Sequence, residues 1–161
     1  MHSHSFKPGQ AQQGVAMVEF AIALPLLLLL LLGIAEFGRM LYQYNSLLQA
    51  SRDAGRFVAG KAWNDTLGQV VLSSDLQTEA KNLAVYGLPN DPGCDVEVAG
   101  CAAVTGLNPA DVQVTSVGAE HVQVSISFTF RPVIGTGLPA LIGDAIPLNF
   151  LLVATTVMRG L

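Results

Sequence analysis

Glu19 is the single ionisable side chain in the run from Val15 to Ala35, which holds eight leucines between Leu24 and Leu32. A carboxylate in so apolar a stretch is costly to bury, so it needs a partner or a function. Two readings are open. Either the side chain snorkels to water at the end of the run, or it is held by an opposite charge, an attraction that a low dielectric strengthens. The other reactive side chains are sparse. Cys94 and Cys101 have six residues between them; in an exported domain a disulfide is the expectation, two unlinked thiols the alternative. No CxxC pair occurs and no histidine lies near the cysteines, which argues against zinc. His121 stands alone at a strand start and reads as structural. The sequence has no Ser/His/Asp set, no Cys/His pair, no Gly-rich phosphate loop and no acidic cluster of catalytic spacing. It therefore predicts no catalytic residues, no metal and no cofactor.

The 161 residues leave room for one domain plus a membrane segment. Mean hydropathy is +0.48, but the leucine-rich beginning carries most of it. The net charge of −4, without basic clusters, argues against nucleic acid as a partner. Residues 1–14 are polar and too short for a core, and read as a leader. Residues 15–37 are long enough to cross a bilayer, since about 20 residues at 1.5 Å each span the ~30 Å hydrocarbon. Pro25 sits inside that span and predicts a kink or local unwinding, a cost that neighbouring helices can absorb. Residues 38–60 continue the helix: Leu47, Ala50 and Ala54 recur at helical spacing, as do Leu41, Tyr44 and Leu48. The whole is one helix of roughly 40–45 residues, its end weakened by Gly55 and Gly60.

Residues 61–161 read as a small α+β domain. A linker runs to about Ser73. Ser74 to Gln77 fits a capping box with Ser74 as N-cap, opening a short helix that Gly87 and Pro89 stop. Period two then takes over. Val96 and Val98 alternate with acidic residues, and Val112 and Val114 with Gln113 and Thr115. The clearest strand is His121–Phe130, with Val122, Val124, Ile126, Phe128 and Phe130 on one face. Gly118-Ala119-Glu120 makes a hairpin turn before it. A last strand, about Leu148–Met158, is apolar on both faces and so predicts a central or covered position. Pro132–Pro147 reads as a loop with a helical turn at Leu138–Ile142. Trp63 and Tyr86 read as packing residues. The upper helix is expected to pack on an antiparallel sheet, because the Val122–Phe130 face needs an apolar cover.

A glycine just before the apolar run, with glutamate five residues on, resembles the processing site of type IV prepilins. The start GVAMVEF, the stretch LPLLLLLLLGIAEFGRMLY (Leu24–Tyr42) and the element ASRDAGRF (Ala50–Phe57) together resemble the TadE-like minor pilins, or pseudopilins, of tight-adherence (Flp-type) pili. One departure is visible: Arg52-Asp53-Ala54-Gly55-Arg56 stands where the family has Arg-Glu-Gly-Ala-Arg. The resemblance implies peptidase cleavage between Gly14 and Val15. The new Val15 ammonium is then the natural partner for Glu19 of an adjacent subunit, with Phe20 and Pro25 also at subunit contacts. It further implies insertion in the bacterial inner membrane, an extracytoplasmic globular domain, later passage into the pilus, and the prepilin peptidase and other pilin subunits as partners.

Glu36 and Arg39, three apart just past the apolar run, read equally as a solvated junction or a contact. Arg52, Asp53 and Arg56 read as a solvated helix face or as a clamp of the helix onto the sheet, a role open to Glu36 and Arg39 as well. Charge alone favours the reverse topology, since Arg39, Arg52 and Arg56 follow the span and only Lys7 precedes it. The leader-type site, which must face a peptidase at the cytoplasmic leaflet, overrides that count. A second function stays open: Gly33-Ile34-Ala35 fits the small-x-small rule of secretory signals, and cutting after Ala35 would release a soluble envelope binding domain.

Overall fold

The computed structural model describes residues 10–133, 137–138, 146–147 and 149–161. They form two compact units, Met1–Gly38 and Arg39–Leu161, and the fold class is α+β. One helix, α1 (Gln10–Ala59), contributes to both. At about 1.5 Å per residue its 50 residues are about 75 Å long. It stays helical through Pro25, so no local unwinding occurs there. It is the one helix among the described residues long and apolar enough to cross a membrane.

In the first unit the apolar side chains of α1 lie open: Val15, Met17, Val18, Phe20 and Ile22 are all exposed, as are most of the leucines. In the second unit α1 changes character. Leu47, Ala50, Ser51, Ala54 and Val58 are buried at i, i+3 and i+4 spacing, while Gln49, Arg52, Asp53 and Arg56 remain exposed.

That buried stripe lies on a three-stranded antiparallel sheet of β3 (Val112–Val117), β4 (His121–Thr129) and β7 (Leu151–Arg159), in the order β3-β4-β7. Val122, Val124, Ile126 and Phe128 of β4 are buried as the alternation requires, and Phe130 just beyond the strand is buried as well. Each such side chain taken from water contributes about 1.5–3 kcal/mol. Ser51 Oγ meets Thr156 Oγ1 at 2.8 Å, and Gly55 backs onto Thr156 and Met158, so α1 also rests on β7. The β3–β4 hairpin turns at Gly118 with φ 66°, a left-handed conformation that suits glycine.

The structure corrects five local expectations. The N-cap of α2 (Ser74–Tyr86) is Ser73, not Ser74: Ser73 has extended backbone, and its hydroxyl accepts from the Leu76 amide at 3.2 Å. With Leu76 three residues on, there is no reciprocal carboxamide and no capping box. The stop at Gly87 is as expected; it takes φ 71° and donates to the Leu83 carbonyl. The segment after α1 is not a bare linker but contains a two-stranded ladder, β1 (Trp63–Asn64) with β2 (Gln69–Val70), whose turn is held by Asn64 Oδ1 accepting from Thr66 and Leu67. Gly160 is buried beneath this ladder, where an added Cβ would stand 2.8 Å from Val70 Cγ2.

The third correction is that Val96 and Val98 lie in turns, not a strand. Asp95 accepts the Glu97 amide and bends the chain, and Cys94 is bonded to Cys101. The fourth is that β7 is an edge strand; β4 is central. Leu151, Val153 and Val157 on its outer face are exposed. Of the loop expected at 132–147, Gly137–Leu138 (β5) pairs with Ile146–Pro147 (β6), so Leu138 is extended rather than helical. Leu148 and the rest of the turn expected at 138–142 lie outside the described residues.

The Cys94–Cys101 bridge closes a loop that returns Val104 and Leu107 to the core, with the Ala103 amide donating to the Val85 carbonyl at 2.7 Å. Closing so short a loop stabilises by about 2.5 kcal/mol in the chain-entropy model. Reduction should therefore lower the melting temperature of the Arg39–Leu161 unit by about 10 °C. An unchanged melting temperature in reductant would count against this role.

Candidate functional site

Residues one turn apart on a helix share a stripe, and α1 places the apolar run's one carboxylate on the stripe of its first residue. Gly14, Val15, Val18, Glu19 and Ile22 line a shallow groove along one face of the Met1–Gly38 unit. Glu19 is exposed in a band of exposed apolar side chains. Phe20 belongs to a neighbouring face, with Ala23, Leu24, Leu26, Leu27 and Leu30. Gly14 is inside the helix, which begins at Gln10, and nothing lies within 4 Å of where its Cβ would be. The peptide bond between Gly14 and Val15 is therefore sterically open but helical. Glycine there weakens the helix by about 1 kcal/mol relative to alanine.

A second cluster lies where α1 enters the larger unit. The Arg39 guanidinium stacks over the Phe130 ring, 4.6 Å from its centre, and Arg39 Nη2 donates to the Arg131 carbonyl. Arg131 Nη1 in turn lies 3.6 Å from Glu97 Oε1, on the disulfide-closed loop. One arginine thus ties α1 to the end of β4, and the next links that end to the loop. The Glu97–Arg131 pair is exposed and weak by itself. Glu36 is buried, with 6% of its surface accessible.

Arg52, Asp53 and Arg56 occupy the solvent face of α1, and among the described residues none has an ion-pair partner. Asp53 borders a groove shared with Ser46, Gln49, Leu83, Ala84, Gly87 and Ala103. The helix-to-sheet contact beside these charges comes from Ser51, buried with its hydroxyl between the Leu48 carbonyl and Thr156. Phe130, the other partner missed as a site residue, appears in the sequence only as the last apolar position of a strand. Among the described residues, no group of three or more His, Cys, Asp or Glu side chains converges as a metal would need.

A helix long and apolar enough to cross a membrane, with one carboxylate near its start, suggests a membrane anchor, and the chain also carries a small disulfide-bonded α+β unit. Residues 14–56 match the family model described as TadE-like protein, which points to a Tad pilus-associated protein. The match begins at Gly14 and ends at Arg56, so it covers Glu19, Arg39 and the Arg52–Arg56 element and leaves the sheet outside. No curated protein and no solved structure matches the chain.

The Arg39 contacts give a direct prediction. Arg39→Ala removes a cation–π contact and a charged hydrogen bond at a half-buried position, and should cost about 1–3 kcal/mol. Arg52→Ala, on the open face, should change stability by no more than about 0.5 kcal/mol. Denaturant titration of the detergent-solubilised chain measures both; equal effects would mean that Arg39 does not clamp the helix.

Proposed function

We propose that this chain is a minor pilin or pseudopilin of a tight-adherence type IV pilus, a structural and non-enzymatic subunit that takes part in pilus assembly, initiation or tip formation. The observation that carries the reading is the stripe Gly14–Val15–Glu19 at the start of an otherwise apolar helix, inside the segment that matches the TadE-like model. Cleavage between Gly14 and Val15 by the prepilin peptidase would create an ammonium at Val15. A subunit in the inner membrane would then hold an ammonium and, one turn on, a carboxylate, in a setting where the rest of the exposed surface is uniformly apolar.

Apolar helices sliding past one another have little preference for one stagger. A carboxylate that can meet a neighbour's ammonium at only one stagger supplies that preference, because an unpaired charge there is strongly penalised. Processing and assembly are thereby coupled. Phe20 and Pro25 fill contacts beside the pair, and the disulfide suits an extracytoplasmic location for the globular unit. The partners are other pilin and minor pilin subunits, the peptidase and the inner membrane. Gly33-Ile34-Ala35 still fits a secretory cut after Ala35, but the TadE-like match runs through that position and supports the pilin reading.

Glu19→Gln keeps size and hydrogen bonding and removes the charge. The variant should be processed and inserted normally yet co-purify with other pilus subunits at least tenfold less than the parent, about 1.4 kcal/mol of lost pairing. Equal recovery, with processing intact, would mean that charge pairing is not the role of Glu19.

A further inference from the structure

Within the Arg39–Leu161 unit, β7 presents a backbone edge that the rest of the sheet leaves open. The Phe130 amide donates to the Phe150 carbonyl at 2.8 Å, and the Gly160 amide to the Glu120 carbonyl at 2.7 Å. Along an antiparallel strand, peptide groups turn alternately toward the paired strand and away from it. The even-numbered residues of β7 therefore face β4, and Leu151, Val153, Thr155, Val157 and Arg159 turn their N–H and C=O groups outward. Among the described residues no backbone group pairs with them. The open edge ends just past the strand, where the Leu161 amide donates to the Ala59 carbonyl of α1.

The side chains along this edge suit pairing. Natural edge strands are blunted by proline, bulges or inward charges. β7 has no proline, its register with β4 is unbroken, and its one charge, Arg159, is at the last position, salt-bridged to Glu120 at 3.1 Å. On the sheet's outer face Leu151 is 64% exposed, Val153 46% and Val157 50%, whereas β4 turns Gln123, Ser125 and Ser127 to that side. On the other face the edge is flanked by α1. Ser51 and Gly55 rest on β7, while Ala50 and Asp53 border α2, which packs by β3. Each helical residue advances by about 100°, so the step from Ser51 away from Ala50 puts Arg52 on the flank of α1 turned from α2, beside the open edge. Arg52 is exposed and has no ion-pair partner among the described residues.

We propose that the β7 edge, with Arg52 beside it, is a strand-addition site that takes an extended segment of a different pilus subunit, apolar on its outer side and carrying a carboxylate on the side toward α1. The inference rests on the reading of the chain as a pilus subunit and names the chemistry of its partner. A row of outward N–H and C=O groups is satisfied by another extended backbone and by no apolar surface. Val153 and Val157 select apolar side chains on the added strand, and Arg52 selects the carboxylate. That charge decides against a second copy as the occupant. β3 and β7, the two marginal strands of the sheet, carry no carboxylate, so a copy that added either one would leave Arg52 without a counter-charge.

Photocrosslinking of the full chain, in cells that carry the pilus system, tests this. A benzoylphenylalanine in place of Val157 should join the chain to a second protein, and mass spectrometry of the linked peptide should find an alternating segment that contains Asp or Glu. Val153→Pro removes one outward N–H and leaves the β4 ladder intact, so it should cut the yield about tenfold; Val153→Thr keeps that N–H and should leave the yield within about twofold of the parent. Arg52→Glu sets like charges opposite each other and should also cut the yield about tenfold. A link to a second copy, a link to lipid, no link at all, or equal yields from Val153→Pro and Val153→Thr would each overturn the proposal. Melting of the detergent-solubilised variants checks folding; if Val153→Pro melts below Val153→Thr, Arg52→Glu alone decides, and an undiminished yield there overturns the site. The two readings fail separately. No link from a chain that begins at Val15 overturns the strand-addition site and leaves the pilin reading standing. A link to an alternating acidic segment of a protein outside the pilus system keeps the site and overturns the pilus partner.

Discussion

Everything in this protein depends on one helix meeting two environments. Backbone hydrogen bonds within α1 are satisfied along its length, so the same element can stand in lipid and in a folded domain. What changes is the side-chain pattern. From Val15 to Ala35 the helix is apolar but for Glu19 and open on nearly every side. From Leu47 onward it is apolar on one stripe, and that stripe is buried against a sheet. The first pattern needs lipid or other helices for cover, while the second completes its cover within the chain. Glu19 matters because it breaks the first pattern where nothing inside the chain can compensate it.

The sheet serves the helix in turn. Its inner face of Val122, Val124, Ile126 and Phe128 closes over the Leu47–Val58 stripe, and the three small residues Ala50, Ser51 and Ala54 are buried along that stripe, which allows close approach. Arg39 fastens the lower margin of this packing and the Ser51–Thr156 bond lies in its midst. The C-terminus fastens the upper margin, with the Leu161 amide donating to the Ala59 carbonyl at 3.0 Å. Within the Arg39–Leu161 unit, α1 is thus tied to the rest of the fold at three points along its length.

Much of this was legible from the residues, and where it was not the reasons are local. The change from continuous to striped hydrophobicity marked both regimes of α1, and strict alternation marked β4, because burial imposes those periods. Val96 and Val98 alternate as well, but over too few residues, and the Asp95 side chain won the competition for the backbone. The two faces of β7 are both apolar, which predicts coverage; the structure covers one and leaves the other open, a pattern that points outside the chain. Of the site, the lone charge of Glu19 could be read directly, while the Gly14–Val15 step comes from the resemblance to a family. The Arg39–Phe130 contact joins residues 91 positions apart, and no local spacing announces a pairing of that range. In the Ser51–Arg56 element the charges drew notice, yet the buried hydroxyl makes the contact.

The central claim is that Gly14–Val15 is a processing site and that the exposed apolar helix of the mature chain starts with a free ammonium one turn from Glu19. The most direct measurement is the intact mass and amino-terminal sequence of the chain isolated from membranes of cells that carry the pilus system. The account predicts a chain that starts at Val15 and still contains the whole apolar helix. A chain starting at Met1 would contradict it by leaving Glu19 without the partner that cleavage creates. A chain starting at Glu36 would contradict it more deeply, since the helix would then be a discarded signal and the globular unit a soluble protein.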